Sequence, residues 1–292
     1  MKGKLRLTLK GRHIWEGYSF VALWTFGFLV FMAIPLVRSL LYSLQDLKVS
    51  SGRLEATYVG LKNYRQAFTV DVEFMPILKE TMLKMGFQVP LILIFAMFSA
   101  ILLNRPMKGR IFFRGVFFLP VIIAAGETLQ KLTAQGAATL PIFQQYDMKS
   151  MLQDYIPLEL LTPLLSMMDS LTLVMWGAGV PILILLAGLQ TISPTLYEAA
   201  KCDGATPWEN FWKITFPMIM PMLLVSTLFC IVDSFTSVMN KMMRFINMLV
   251  FNKFSYGYAS AIGWIYFVFI FIVIGIVFAI FRNTSAMAKD RR

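Results

Sequence analysis

Glu198-Ala199-Ala200-Lys201-Cys202-Asp203-Gly204-Ala205, continuing to Ile214, Pro217 and Pro221, is the stretch whose reading decides the fold. It is polar enough to stand in water, yet it lies between two long apolar runs. Ser193-Pro194 reads as an N-cap and first helical position, and Gly204 as the stop of that helix. Thr206-Pro207-Trp208-Glu209 then restarts the pattern with a Thr cap, a Pro at the first position and a Glu three residues on, a capping box. The spacing predicts two short helices at an angle, with Gly204 at the bend. On the first, Leu196, Ala199 and Ala200 share a face, while Glu198 and Lys201 lie away from it. The alanines keep that face flat, so another surface can approach closely. The second carries Trp208, Phe211 and Trp212, bulky groups expected to anchor against the apolar body. A polar helix–turn–helix between two apolar runs is what a docking element for a soluble partner looks like.

The rest of the chain is built for lipid. Of its 292 residues 58% are hydrophobic and only 15% charged, where a soluble domain would carry charge on about a quarter. The mean hydropathy of +0.67 agrees. A net charge of +11 raises nucleic acid as a partner, but the basic residues sit at the ends of apolar runs. Positive-inside bias explains that distribution better than a phosphate-binding surface, so no nucleic-acid partner is expected. Cys202 and Cys230 have no disulfide or metal spacing, and His13 reads as a headgroup-level residue in a basic tail.

Working outward along the chain, six spans are expected, about 18–41, 83–103, 115–132, 171–190, 217–237 and 258–281. Each is long enough for a hydrocarbon core of about 30 Å. Residues 1–17 read as a basic cytoplasmic tail and not as a signal peptide, because the apolar run is too long and lacks a small-residue cleavage site. Residues 283–292 form a second basic tail after a membrane-spanning body over 18–282. The 104–114 loop holds Arg105, Lys108, Arg110 and Arg114 with no acid, which assigns it to the cytoplasm. The acid-bearing segments 46–75 and 133–170 then face outside. The 239–256 segment reads as an outer loop, although Lys241, Arg244 and Lys253 run against the charge rule. Glu127 and Lys131 are spaced for a helical ion pair at the outer end of span three, with a proton relay the less favoured alternative. The fold class is therefore an all-α membrane protein of six transmembrane helices, with both termini and the 191–216 loop cytoplasmic.

The 198–205 stretch resembles the EAA loop of the permease subunits of binding-protein-dependent ABC importers, in their carbohydrate-uptake branch. That pattern is Glu-Ala-Ala, two residues, Asp-Gly-Ala, then an Ile and a Pro at fixed distance, here Ile214 and Pro217. Val59-Gly60-Leu61-Lys62-Asn63-Tyr64 resembles a second segment of the same branch, and Lys108-Gly109-Arg110 through Leu119-Pro120 a third. Around Ala134-Gln135-Gly136-Ala137-Ala138 the chain departs from the pattern, which leaves contacts of the 133–170 loop open. The resemblance implies a complex in a prokaryotic plasma membrane: a second permease subunit, expected to be a different chain, two cytoplasmic ATPase subunits and an extracytoplasmic solute-binding protein. It implies coupling to the ATPase through Glu198, Ala199, Ala200, Asp203 and Gly204.

The chain holds no Walker-type glycine loop, no paired acids beside a base and no metal cluster, so it is not expected to be an enzyme or to carry a cofactor. ATP and Mg would sit on the partner ATPase. A cargo path for a carbohydrate, with an oligosaccharide expected, needs hydroxyl-bonding groups and a flat apolar face. Trp176 and Gly177 on span four, with Asp233, Ser234 and Ser237 on span five, supply that mixture. Helix packing for Trp176 and interhelical hydrogen bonding for the others stand as equal alternatives. An ion-coupled secondary transporter is the competing function; it would show inverted repeats and midplane ionisable groups, and the sequence offers no repeat and Asp233 alone.

Overall fold

The computed structural model describes residues 9–50, 53–105, 174–237 and 239–289, together with positions 109, 112 and 115. Span three, the Glu127–Lys131 pair and the 133–170 segment lie outside them. Among the described residues, four helical runs are long and apolar enough to cross a membrane: Gly17–Ser43, Phe74–Asn104, Pro207–Phe251 and Tyr256–Arg282. A fifth arises if Gly179–Gln190 and Pro194–Cys202, which meet at 62°, count as one broken span. The chain is thus an all-α multi-pass membrane fold. It divides into two compact units, residues 1–75 with 246–267 and residues 76–245 with 268–292.

The first unit begins with α1 (Leu9–Phe28), a π-helical turn over Leu29–Ala33 and α2 (Ile34–Ser43). Pro35 stands in the first turn of α2 and has no N–H to give to the preceding turn, and the wider π turn accommodates that missing bond. An antiparallel hairpin follows, β1 (Gln45–Ser50) on β2 (Arg53–Tyr58), with Gln45 opposite Tyr58 and Ser50 opposite Arg53. The all-α expectation missed this hairpin. The alternation is there, with Leu47 and Val49 on one strand and Leu54, Ala56 and Tyr58 on the other, but the segment was read by its mixed charges as a polar loop.

The Val59–Tyr64 motif ties the hairpin down before α3 (Lys62–Thr69). Val59 N–H donates to Leu44 O at 3.0 Å, and Gly60 supplies a φ of +58° for the turn. Buried Asn63 donates from Nδ2 to the carbonyls of Ser43 at 2.9 Å and Gln45 at 3.0 Å. Tyr64 Oη meets Ser43 Oγ at 2.7 Å. Asp71 then caps the start of α4 (Phe74–Asn104), its Oδ1 accepting from Glu73 N–H at 2.8 Å and Phe74 N–H at 3.1 Å. Tyr258 donates its hydroxyl to the other carboxylate oxygen. The cap explains why this helix starts at Phe74.

The second unit holds most of α4, then α5 (Gly179–Gln190), α6 (Pro194–Cys202), α7 (Pro207–Asn210), a π turn over Phe211–Thr215 and α8 (Phe216–Thr236). α9 (Lys241–Phe251) and α10 (Tyr256–Lys289) run through both units. Ile182, Leu185 and Leu186 of α5 and Ile219 and Ile231 of α8 are buried, and Gly188 lets the two helices come close beside Met222 and Ile219. Two expectations are corrected here. The 239–256 segment is not a loop, because Asn240 Oδ1 accepts from Met242 N–H at 2.8 Å and starts α9. The second short helix of the docking loop is not separate either. α7 continues through the π turn into α8, since Thr215 Oγ1 bonds Asn210 O at 3.3 Å across the wider turn and Pro217 needs no donor partner.

Candidate functional site

The 191–216 loop and a cleft in the second unit hold the coupling and cargo candidates named from the sequence. In the loop, Ser193 takes the extended backbone of an N-cap, but its hydroxyl bonds Thr195 Oγ1 at 2.7 Å and caps no backbone N–H. The other end is closed as Gly204 requires. Its φ is +77°, Gly204 N–H donates to Lys201 O at 3.0 Å, and Ala205 N–H reaches back to Ala200 O at 2.9 Å. This is a Schellman closure, which an L side chain at Gly204 would strain. Thr206 restarts the helix with the capping box complete: Glu209 N–H donates to Thr206 Oγ1 at 3.3 Å, and Thr206 N–H to Glu209 Oε2 at 2.9 Å. That backbone bond, with Lys213 at 3.2 Å, holds the Glu209 carboxyl down to about 2.

Glu198, Ala199, Asp203 and Gly204 are exposed and Ala200 is half-buried, so the structure gathers them on one accessible knuckle. Trp208 and Trp212 do not anchor it from within. They are 70% and 46% exposed and stack edge to face at 5.6 Å, with Trp212 against Phe216 at 5.2 Å. Such aromatic clusters suit a headgroup boundary. The tie that sequence reasoning missed is Tyr197, whose hydroxyl meets Thr215 Oγ1 at 2.9 Å. It links α6 directly to the π turn at the base of α8. No periodic pattern marks a pair eighteen residues apart.

The second site is a cleft of about 450 Å³ inside the second unit. Trp176, Gly177, Asp233, Ser234 and Ser237 all line it. Gly177 lies where an added Cβ would come within 3.0 Å of Ile92 Cδ1, which explains its small size. Ser237 Oγ accepts from Met239 N–H at 3.3 Å, and Asn240 Nδ2 donates to Ser234 O at 3.0 Å, so the α8 terminus is held in a folded-over turn. Asp233 is exposed, and among the described residues its carboxylate accepts no hydrogen bond.

The opposite wall comes from residues the sequence reading passed over. Glu80, Thr81, Lys84 and Gln88 on α4 face Lys241 and Arg244 on α9. Glu80 bridges Lys84 at 3.1 Å and Lys241 at 2.7 Å. The Glu80–Lys84 spacing of four was a legible helical pair, and Lys241 and Arg244 stood out as charge-rule exceptions. Thr81 Oγ1 is buried without a partner. No group of three or more His, Cys, Asp or Glu side chains able to hold a metal ion occurs among the described residues.

No family model matches the chain. Among curated proteins, it is 28% identical over 291 residues to the probable ABC transporter permease protein YesP of Bacillus subtilis, across 92% of this chain and 90% of that one. It is 26% identical to the multiple sugar-binding transport system permease protein MsmF of Streptococcus mutans, across 89% and 92%. A third relative is the arabinooligosaccharides transport system permease protein AraP of Halalkalibacterium halodurans, 28% identical across 75% and 67%. Among solved structures, a chain of a bacterial alginate ABC transporter in complex with alginate pentasaccharide-bound periplasmic protein superposes with a TM-score of 0.64. The match covers 94% of this chain and 96% of that one at 18% identity, a likeness of fold.

Proposed function

We propose that this chain is a permease subunit of an ABC transporter, a multi-pass protein of a prokaryotic plasma membrane that forms half of the path of a carbohydrate importer. Its partners in that reading are a second, different permease subunit, two cytoplasmic ATPases that bind ATP and Mg, and an extracytoplasmic binding protein that delivers an oligosaccharide. The body over 18–282 completes six spans with both termini and the 191–216 loop in the cytoplasm. The chain moves cargo and leaves hydrolysis to its partner.

The observation that carries this reading is the exposed knuckle of α6. Glu198 and Ala199 present an acid and a small side chain on a helix that nothing in the described structure covers. A groove on an ATPase can close over Ala199 and Ala200 at short range and pair a cation with Glu198. Movement of the ATPase then acts on a short helix fixed at both ends, by the Gly204 closure and by the Tyr197–Thr215 hydrogen bond. α8 receives the displacement at its base, and Asp233, Ser234 and Ser237 at its far end line the cleft. The cleft supports the cargo half of the reading, since Trp176 offers a flat apolar face and Asp233 accepts from hydroxyls.

The test is an uptake measurement in proteoliposomes holding the assembled complex. Ala199→Trp should abolish carbohydrate uptake while ATP hydrolysis continues and the chain still inserts. Uptake unchanged in that variant, or uptake by wild type that survives ATP removal and collapses with an uncoupler, refutes the reading.

A further inference from the structure

We propose that the cleft selects a carbohydrate bearing a carboxylate, a uronate-type residue, with Arg244 as the group that recognises its charge. The proposal rests on the importer reading and deepens it. Its basis is the charge inventory of the cleft walls. Three cations, Lys84, Lys241 and Arg244, line the cleft with two acids, Glu80 and Asp233. Glu80 is already engaged by both lysines. That leaves one acid and one cation uncommitted, and no ion pair joins Asp233 to Arg244 among the described residues.

Arg244 is exposed in the cleft wall and donates one hydrogen bond, from Nη2 to Met239 O at 3.1 Å. A guanidinium is a rigid fork of N–H donors that matches a carboxylate in a bidentate pair, so its remaining donors are suited to an anionic ligand. Asp233, an acceptor only, needs hydroxyl donors from the same ligand. Thr81 adds an independent sign of a polar ligand. It is 6% exposed and lines the cleft, yet its hydroxyl has no partner. Buried hydroxyls are otherwise nearly always bonded. A ligand with one carboxylate and several hydroxyls meets all three demands, with Trp176 for its apolar face. A monoanionic residue also matches the count, since three cations against two acids leave the cleft one positive charge, which a phosphomonoester dianion would exceed. The placement of Lys241 and Arg244 on a segment assigned to the outside, where Lys and Arg are normally depleted, acquires a reason in this way.

The experiment compares galactobiose with its mono-uronic acid, which differ by one carboxylate against one hydroxymethyl. Binding is measured by calorimetry on the assembled complex in nanodiscs without its binding protein, so that the cleft itself is read. Wild type should prefer the acid by about tenfold at low salt, equivalent to about 1.4 kcal/mol. Arg244→Gln should erase that preference with galactobiose affinity unchanged, and Arg244→Lys, which keeps the charge but loses the fork, should fall between. Equal affinities, binding of neither sugar, or equal loss of both in Arg244→Gln overturns the assignment. ATP hydrolysis coupled to uptake of a neutral sugar in the same preparation would leave the importer reading standing. Absence of any ATP-dependent carbohydrate uptake would remove that reading instead.

Discussion

Gly188→Ala tests how tightly α5 is seated on α8. A Cβ there would lie 2.6 Å from Met222 Cγ, 3.0 Å from Met222 Cβ and 3.4 Å from Ile219 Cγ1. Carbon atoms rest at about 3.5–4.0 Å, so the Cγ contact is short by about 0.9 Å and the Cβ contact by about 0.5 Å. Rotation of the Met222 side chain can clear its Cγ. Its Cβ moves only with the backbone, so the helices must part by a few tenths of an ångström. Overpacking of this kind costs about 1–3 kcal/mol, and the helix propensity gained by Ala returns about 1 kcal/mol. The expected net loss is about 1 kcal/mol, on the order of 2 °C in melting midpoint for a chain of this size.

Intrinsic-fluorescence melting of the purified protein in detergent reads that shift, and ATP-dependent uptake reads its consequence, because α5 leads directly into α6. The double variant Gly188→Ala with Met222→Gly removes the Cβ that cannot rotate aside, and a double-mutant cycle against Met222→Gly alone should show most of the clash relieved. A Gly188→Ala protein that melts at or above wild type refutes the packing argument. So does a Met222 truncation that brings no relief.

Gly257→Ala should be more damaging, because its Cβ would fall on the Gln45 carbonyl oxygen, 3.1 Å from the carbon of that group and 3.2 Å from Tyr42 O. Backbone cannot rotate aside, and Gln45 O also accepts from Asn63. A loss of about 3 kcal/mol is expected, while Gly263→Ala on the same helix meets nothing within 4 Å and should be neutral or gain up to about 1 kcal/mol. Melting midpoints in the reverse order would contradict both. The Glu209 carboxyl, held down to about 2 chiefly by the Thr206 backbone N–H, should make the docking loop acid-sensitive. Its folded value is depressed, so its contribution is complete above the unfolded value of 4.5 and is lost as pH falls from there through about 2. Hydrogen exchange at 206–213 should rise over that window in wild type and show no such step in Glu209→Ala; identical profiles would count against the capping box.

The docking loop was legible because its signals are local. Gly204 as a stop and Thr206 with Glu209 as a restart depend on neighbours within five residues, and all appear as expected. The five cargo candidates were legible as types, an aromatic and hydroxyl and carboxylate groups in apolar runs, and the fold gathers them into one cleft. On the opposite wall the helical spacing of Glu80 and Lys84 was legible, but its pairing with α9 was not. The Glu80–Lys241 contact joins residues 161 apart, and nothing in either neighbourhood announces the other. The hairpin escaped for a related reason. Asn63 bonds its first residue, Gln45, and Gly257 leaves room for the Gln45 carbonyl, and of these only Asn63 belonged to a recognisable segment.

The continuity of α7 with α8 changes what the bend at Gly204 can do. Two independent short helices would let α6 swing without moving a span. Here the helix that starts at Pro207 runs through the Phe211–Thr215 π turn to Thr236, and Tyr197 joins α6 to Thr215 inside that turn. A π turn is a place where a helix can change pitch at small cost. Force applied at Ala199 therefore meets two joints, the left-handed Gly204 and the π turn, and the Tyr197 hydroxyl bridges from α6 to the second. In the importer reading α8 would respond by rotating or sliding about that turn, and its far end would carry Asp233, Ser234 and Ser237, which line the cleft, with it. On this geometry the proposed cargo site and the proposed docking site lie toward opposite ends of one helix, and α6 would work as its handle.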